Sequence, residues 1–278
     1  APLTYIVAAA ILLVFSVGYA AMSGRIVDTG AFYAYVTAGL GRRLGLGAAA
    51  LAVFAYTTIQ AAIYGLAANT VGALVVQYGG PNLPWWVWAF ALIACVGVVG
   101  YRNIELGTKV LGLLLVLEVV AIVALSVAVL VQGGAKGIDV TSFTPGAFFS
   151  ASPGVAMMFA IGSFVGFEAT AIYGEEARNP RRTVPLATYV AIGAIGTMYA
   201  ICSWAVVLAY GSDSVASVAA EGTDNLTIDA VATYLGPTAA EVVAVMLVTS
   251  LFAAVLAFHS AISRYLFALA RSGHAPQR

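Results

Sequence analysis

The sequence predicts an all-α protein that lies in a membrane. Of its 278 residues, 62% are hydrophobic and 9% are charged, whereas roughly a quarter of the residues in an ordinary soluble domain are charged. No charged residue occurs between Arg43 and Arg102, and a chain of this size could bury such a stretch only in lipid. The apolar runs are continuous, which favours helices, because membrane β-strands alternate apolar and polar residues over about ten positions.

Seven apolar runs are long enough to cross the hydrocarbon core of a bilayer, which takes about 20 helical residues. They cover residues 3–22, 44–76, 84–101, 106–132, 148–174, 184–210 and 237–272. The second run is longer than an upright span needs, so we expect it to be tilted. We interpret the seven runs as a single transmembrane domain over residues 1–278. Two segments between the runs, near 29–36 and 224–235, predict short helices beside the membrane.

The basic residues predict which ends of the spans face the cytoplasm. Eleven of the 12 lysines and arginines lie in four segments that follow every second span, so these segments would all face the same side of the membrane. Only Lys136 would face the other side. By the positive-inside rule, the four regions are cytoplasmic. The N-terminal end is therefore expected outside the cell membrane and the C-terminal end in the cytoplasm. Because the chain starts without methionine or a basic leader, we expect at least one span to precede it, and further helices to follow.

The fifth run carries the strongest signal for a functional site. It contains Gly162 and Gly166, which weaken a helix, and then the carboxylate of Glu168. A broken helix frees backbone N–H and C=O groups, and a membrane protein tolerates this where the break lines a cavity or binds a ligand. The same glycine spacing also suits tight packing between helices. Glu168 favours a site, because an intramembrane carboxylate costs roughly 2–3 kcal/mol or more and is usually functional.

A second intramembrane carboxylate, Glu118, lies about halfway through the fourth run. Burial favours its neutral form, so it could carry a proton. The alternative is a neutral acid that is hydrogen-bonded to a neighbouring helix. Thr249 and Ser250 in the last run are possible partners for coupling, although such residues commonly bond to their own helix backbone.

Glu175 and Glu176 follow the fifth run at a helix C-terminus, where the helix dipole disfavours anions. We expect them to depend on Arg178, Arg181 or Arg182 and to form a cytoplasmic clamp rather than a catalytic pair.

Other functional classes find little support in the sequence. Cys95 and Cys202 lie inside apolar runs and are interpreted as packing thiols. The two histidines are distant in sequence and no metal-binding spacing occurs, so we expect no enzyme activity, no resident metal and no cofactor. A retinal protein needs a lysine in its last span, and residues 237–272 contain none. The acidic-Arg-Tyr motif expected of a G-protein-coupled receptor is missing at the end of the third run, while a channel stays open as an alternative.

Three stretches resemble signatures of the amino acid–polyamine–organocation permeases. Residues 159–168, with 174–180 and Val184-Pro185, closely resemble the signature of that family's sixth helix. Residues 30–35 with Leu40-Gly41 are similar to the loop after its second helix, and residues 263–271 with Gly273 and Pro276 to the end of its eighth. Together the three stretches extend the resemblance over essentially the whole chain.

The resemblance implies a LeuT-like transporter fold of two inverted five-helix repeats. This chain would supply helices two to eight, without the first helix, which in the family breaks opposite the sixth and completes the substrate site. It further implies that Glu168 serves gating or coupling and that Ser250 lies near the inner cation site. Several proton-coupled members have a lysine at the position of Glu118, so the coupling ion, a proton or sodium, stays open. The residues that would line the amino acid site are Ile161, Gly162, Ser163, Phe164, Val165 and Gly166.

The sequence thus predicts a secondary active transporter of amino acids or related amines that works by alternating access. It would use a proton or sodium gradient or work by exchange. Its expected partners are a small-molecule substrate and the lipid bilayer, with no nucleic acid. A seven-span receptor or a channel-like protein without coupled transport is the alternative. The substrate, the choice between symport and antiport and the oligomeric state are left open.

Overall fold

The computed structural model describes residues 2–26, 30–102, 108–150, 152–172, 174–222 and 226–273. Within these ranges the chain forms helices and no β-strand, which confirms the all-α prediction for the described part. The α-helices, in chain order, are α1 (Pro2–Ser23), α2 (Phe32–Leu40), α3 (Arg42–Gln77), α4 (Trp85–Tyr101), α5 (Thr108–Gln132), α6 (Pro145–Phe149), α7 (Pro153–Gly162), α8 (Ala169–Ile172), α9 (Pro180–Tyr210), α10 (Val215–Glu221), α11 (Leu226–Leu235) and α12 (Pro237–Arg271). Two 3-10 turns cover Thr141–Phe143 and Gly174–Glu176.

Five helices of the described part are long and apolar enough to cross a membrane: α1, α3, α9, α12 and the Gly112–Gln132 portion of α5. Helix α4 is apolar but has 17 residues, which at the helical rise gives about 26 Å, slightly less than a bilayer core. The run predicted at 148–174 contains α7 and α8, separated by turns. The count of seven spans therefore stays a prediction.

The two short helices expected between the runs are present as α2 and α11. Helix α3 has 36 residues, and its length of about 54 Å exceeds the thickness of a bilayer core. Helix α11 buries Ala230 and Val231, whereas Asp229, in its first turn, is exposed. Its apolar face is therefore covered by protein.

The helices group into two compact units. The first is built from three segments and contains α1, most of α5, α7, most of α9, and α11. Two apolar clusters form its core: one around Leu125, Val129 and Leu208, the other around Phe164 and Ile192. The segments of this unit are Ala1–Ala21, Glu118–Glu168 and Pro185–Val243.

The second unit contains α2, α3, α4, α8 and most of α12. Helix α3 packs against both α2 and α4. The buried Tyr56 of α3 contacts the rings of Phe258 and Tyr265 on α12, each with ring centroids 5.8 Å apart. These aromatic contacts join α3 to α12. The segments of this unit are Met22–Leu117, Ala169–Val184 and Ala244–Arg278.

Candidate functional site: an interrupted helix

The helix that begins at Pro153 ends at Gly162, although apolar residues continue after it. Pro153 favours the start, because proline lacks the N–H that an N-terminal turn leaves unpaired anyway. Residues 163–168 then form turns, and helical backbone resumes only in the short α8. The sequence predicted a break around residues 162–166, and the structure has its helix end within that stretch.

The turns after α7 are held by tight backbone hydrogen bonds. The N–H of Phe164 donates to the carbonyl of Ile161 at 3.0 Å, and that of Val165 to Gly162 at 3.1 Å. Both bonds join residues three apart, whereas an α-helix joins residues four apart. The carbonyls near the break therefore no longer lie along a regular helix ladder, and each carbonyl oxygen keeps a second lone pair for a ligand.

Gly166 and Glu168 form the sharpest part of the break. Gly166 has φ of +112°, in a region that residues with a Cβ rarely adopt. Its N–H donates to the Glu168 carboxyl oxygen Oε2 at 3.0 Å, and Glu168 is only 6% exposed. The carboxyl group thus compensates a backbone N–H that the break has released. Glu168 is part of the break itself and not merely a neighbour of it.

Helix α1 contacts the C-terminal end of the break, at Glu168. The hydroxyl of Tyr19 donates to the backbone carbonyl of Glu168 at 2.8 Å. The ring of Phe167 lies edge-on to Phe15 and Tyr19, with centroids 6.2 Å from each. Both aromatic residues of α1 therefore fix the position of the backbone next to Glu168.

Helix α9 contacts the N-terminal part of the break through the ring of Phe164. This ring is 1% exposed and packs with Ala8 and Ile192 in one core cluster. Gly196 makes the approach possible, since a Cβ there would lie 2.6 Å from Cβ of Ala9 and 3.5 Å from Cζ of Phe164. A side chain at 196 would push α1 and Phe164 away from α9.

Tyr199 reaches the break from α9. Its hydroxyl donates to the carbonyl of Ser163 at 3.2 Å. Its ring contacts Tyr5 and Phe164, with centroid separations of 5.3 and 5.6 Å. Tyr199 and Tyr19 thus bind the two ends of the interrupted segment from different helices.

The residues predicted to line the amino acid site differ in how exposed they are. Gly162 and Ser163 are exposed, and Ile161 is 39% exposed. Val165 and Gly166 are half-buried. Phe164 differs from the others because its ring belongs to the core of the first unit. The exposed surface at the break is therefore formed by the Ile161 side chain together with the small residues Gly162 and Ser163.

The predicted coupling residues lie in both units. Glu118 is half-buried on α5 and belongs, like Glu168, to the first unit. Thr249 and Ser250 belong to the second unit. The hydroxyl of Thr249 donates to the carbonyl of Met246 at 2.8 Å. Such a bond to the backbone of its own helix was the alternative to a coupling role in the sequence analysis.

Sequence reasoning missed the tyrosines that contact the break. Tyr19 and Tyr199 are far apart in the chain, and their spans gave no reason to relate them to the break after Gly162. A usable signal existed on α9, where Gly193 precedes Tyr199 by about two turns and Gly196 precedes it by about one. Small residues followed by an aromatic residue on one face of a membrane helix indicate a close helix contact.

Comparison with known sequences decides the class of protein. The profile of the amino acid permease family matches residues 1–278. This chain belongs to the amino acid permease family. The resemblance found in its motifs is thereby confirmed. Family membership, together with the apolar helices, makes the chain a multi-pass membrane protein of a transporter family rather than an enzyme.

Relatives of the permease have been named as transporters. An uncharacterized transporter of Mycobacterium tuberculosis is 26% identical over 189 residues, which cover 68% of this chain and 41% of the relative. A second one from the same species is 25% identical over 305 aligned residues, covering all of this chain and 61% of the relative. The aspartate-proton symporter of Bacillus subtilis is 19% identical over 194 residues, or 68% of this chain and 37% of the symporter. The chain thus spans less than two thirds of the length of these relatives.

Proposed function

We propose that this permease chain is the part of a secondary active transporter that carries the interrupted helix, and that the transporter moves amino acids or related amines across the cytoplasmic membrane. It works by alternating access and draws on a proton or sodium gradient, or on exchange. The observation that carries the proposal is the end of α7 at Gly162, followed by turns that Glu168 stabilises through the N–H of Gly166.

The chemistry of an amino acid suits such a break. Its ammonium group needs acceptors, which the carbonyls around Gly162 and Ser163 can supply, and its carboxylate needs N–H donors or the positive end of a helix. The small side chains of Gly162 and Ser163 let a ligand approach the backbone closely. Because transporters place broken helices beside their substrates, the break is the proposed binding site of the amino acid.

Glu168 and Glu118 are the proposed coupling residues. Each places a carboxyl group within an apolar run, where charging it is costly and a change of protonation or a bound cation alters the energy substantially. Glu168 would transmit this change directly, since its carboxyl group bonds to the break. Thr249 and Ser250 are proposed to serve the inner cation site.

We place this function in a LeuT-like fold with seven spans contributed by this chain, its N-terminal end outside and its C-terminal end in the cytoplasm. The alternation of basic residues supports that orientation. Because the chain covers 41% to 61% of its transporter relatives in M. tuberculosis, the complete protein is the proper subject for transport assays. Its partner would be the small-molecule substrate.

The test uses the full-length protein in proteoliposomes. Uptake of radiolabelled aspartate, alanine, leucine, arginine and putrescine is measured with an inward proton gradient, an inward sodium gradient, internal unlabelled substrate, or none of these. We expect at least one compound to accumulate under one of the three driving conditions. If none of them enters faster than into empty liposomes, the transport proposal is wrong.

A matched pair of variants tests the location of the site. A Cβ added at Gly162 or at Gly154 meets no atom within 4 Å, so both positions of α7 are open to a side chain and leucine is compared at the two. Gly162→Leu should lower uptake about tenfold or more, because it fills the space at the break where the substrate must be positioned. Gly154→Leu, at the other end of the helix, should transport normally. Equal uptake by the two variants would contradict this location.

A further inference from the structure

Helix α11 is tied to the C-terminal ends of α5 and α9 by three hydrogen bonds. The hydroxyl of Tyr210, the last residue of α9, donates to the carbonyl of Leu226, the first residue of α11, at 2.5 Å. Near the other end of α11, the hydroxyl of Tyr234 donates to the carbonyl of Ala209 at 3.2 Å. The side-chain amide of Gln132, the last residue of α5, donates to the carbonyl of Tyr234 at 3.0 Å. Both ends of α11 are therefore held, one by α9 and the other by α9 and α5.

The middle of α11 is buried against the same two helices. Ala230 and Val231 are 1% and 2% exposed. They belong to one apolar cluster with the buried Val129 of α5 and the buried Leu208 of α9. Helix α11 therefore packs against α5 and α9 at the same time.

The chain that leaves α5 adds a direct connection to α9. The N–H of Ala135 donates to the carbonyl of Leu208 at 2.9 Å. Gly134 makes this approach possible, because it has φ of +67° and a Cβ there would lie 2.6 Å from the same carbonyl oxygen. The indole N–H of Trp204 donates to the carbonyl of Asp139 at 2.8 Å. The ends of α5 and α9 are thus joined both directly and through α11, and all of these contacts lie within the first unit.

These contacts distinguish α11 from a mobile segment. Lids and other segments that open during a functional cycle have few buried apolar contacts and solvent-exposed hydrogen bonds. In α11, by contrast, Ala230 and Val231 are buried and both ends are bonded to neighbouring helices. Opening of α11 would have to break all of these contacts together.

We propose that α11 is a strap that joins the C-terminal ends of α5 and α9 and stays bound to both helices throughout the transport cycle. It does not open and close as a lid over the path of the substrate. Helices α5, α9 and α11 then move as one body. The inference rests on the proposed transport function and adds which part of the protein keeps its structure while the substrate crosses.

The strap also bears on the interrupted helix, because α9 contacts the break. The hydroxyl of Tyr199 on α9 donates to the carbonyl of Ser163 at 3.2 Å, and Phe164 packs with Ile192 of α9 in one apolar cluster. A rigid body of α5, α9 and α11 therefore extends from the strap to the substrate segment. Loosening the strap should slow the conformational step of transport without weakening the binding of the substrate.

The first test loosens the strap. Tyr210→Phe and Tyr234→Phe together keep both rings and remove two of the three hydrogen bonds. In proteoliposomes with the full-length protein, this double variant should lower the maximal rate of uptake about threefold or more, while KM stays within about twofold. Tyr189→Phe, which removes a hydroxyl from an exposed position of α9, should change neither value. An unchanged maximal rate in the double variant would overturn the inference.

The second test replaces a hydrogen bond of the strap with a covalent link. Gln132→Cys and Tyr234→Cys are combined in the full-length protein with all other cysteines replaced by alanine, and a short bis-methanethiosulfonate joins the two thiols. A strap predicts that uptake stays the same or rises on cross-linking, because the link restores a lost connection. A lid must separate from α5, so loss of uptake that dithiothreitol reverses would overturn the inference. Each single-cysteine variant, treated with the same reagent, is the control for the modification itself.

Hydrogen exchange tests the strap without transport. In the unmodified full-length protein, the amides of residues 226–235 should stay protected, and their exchange should change less than about twofold when sodium chloride or any compound of the panel is added. In the variant with both Tyr210→Phe and Tyr234→Phe, these amides should exchange about fivefold faster or more, as expected for the loss of two neutral hydrogen bonds. Equal exchange in the two proteins would contradict the strap.

The readings separate the strap from the transport proposal. Uptake that cross-linking abolishes contradicts the strap alone. Protected amides in residues 226–235 that the double variant releases, without uptake of any compound in the panel by the unmodified protein, contradict the transport proposal alone.

Discussion

The carboxyl group of Glu168 accepts the N–H of Gly166, two residues before it. Composition and glycine spacing were enough to select these residues from the sequence, because a carboxylate in an apolar run is costly and therefore rare, and the glycines beside it weaken the helix. They were not enough to show the bond itself, since a bond across a turn depends on backbone angles that the residue types alone do not determine.

The positive φ of Gly166 gives the first prediction. Gly166→Ala should destabilise the protein by about 1–3 kcal/mol, because alanine at φ of +112° is strained even though no atom lies near the new Cβ. Thermal unfolding in detergent measures the effect. Gly162→Ala is the control, since this position is helical and equally open, and alanine should be neutral or stabilising there. Equal stability of the two variants would contradict the role of Gly166.

A second residue-scale prediction concerns Asp139, in the loop after α5. The hydroxyl of Ser212 donates to its carboxylate, as do the hydroxyl and the N–H of Thr141, the latter at 2.8 Å. These bonds, chiefly that of Ser212, hold the pKa of Asp139 below its ordinary value of 3.8. A lowered pKa stabilises the folded state above that ordinary value, and the stabilisation is lost as the pH falls through the folded-state pKa.

Asp139→Asn should therefore unfold at a lower temperature than the unmodified protein at neutral pH, and the difference should shrink as the pH falls below about 4. Thermal unfolding at several pH values measures it. Asp213→Asn is the control: its carboxylate pairs with Lys136 at 3.4 Å, but the two side chains are 86% and 58% exposed, so the pair contributes little. A difference for Asp139→Asn that stays constant with pH would contradict the hydrogen-bond account.

At the scale of elements, apolar run length predicts most of the helices, and it fails where a helix is interrupted. The run at 148–174 looks continuous by hydropathy, but the helix α7 within it ends at Gly162. Glycine content indicated the break, and the contacts from α1 and α9 explain why it is stable. Those contacts join residues up to 149 positions apart, as between Tyr19 and Glu168, and sequence spacing carries no information about them.

The ion pair between Glu175 and Arg271 is a further contact between elements. Arg271, in the last turn of α12, reaches Glu175 at 2.9 and 3.4 Å through two guanidinium nitrogens, and its Cζ lies 5.8 Å from the centre of the Phe267 ring. The sequence had suggested Arg178, Arg181 or Arg182 as partners of Glu175. Arg271 could not be foreseen because it lies 96 residues away.

This pair predicts a charge-swap result. Glu175→Arg and Arg271→Glu should each lower the unfolding temperature, and the double variant should recover part of the loss. The two side chains are 34% and 46% exposed, so we expect a coupling of no more than about 1 kcal/mol, weaker at high salt. A double-mutant cycle in low and high potassium chloride measures it. Additive losses at low salt would show that the pair does not stabilise the protein.

At the scale of the whole molecule, charge alternation and apolar length together predicted a multi-pass helical membrane protein, and the motifs predicted its family. The division into two packing units could not be predicted, because α5, α9 and α12 each contribute residues to both units. Such a division depends on which faces of long helices meet, and uniformly apolar helices do not reveal this in their sequence.

The central claim is that the interrupted helix and its carboxyl groups couple ion movement to amino acid movement. Glu168→Gln and Glu118→Gln preserve size and hydrogen-bonding capacity, so both variants should fold with an unfolding temperature close to that of the unmodified protein.

The most direct test measures how far the full-length protein concentrates its best substrate in proteoliposomes, with proton or sodium gradients imposed separately. We predict that each variant lowers this accumulation ratio about fivefold or more, as expected for the loss of a typical coupling free energy. Unchanged accumulation, together with unchanged dependence on pH and sodium in both variants, would contradict the account.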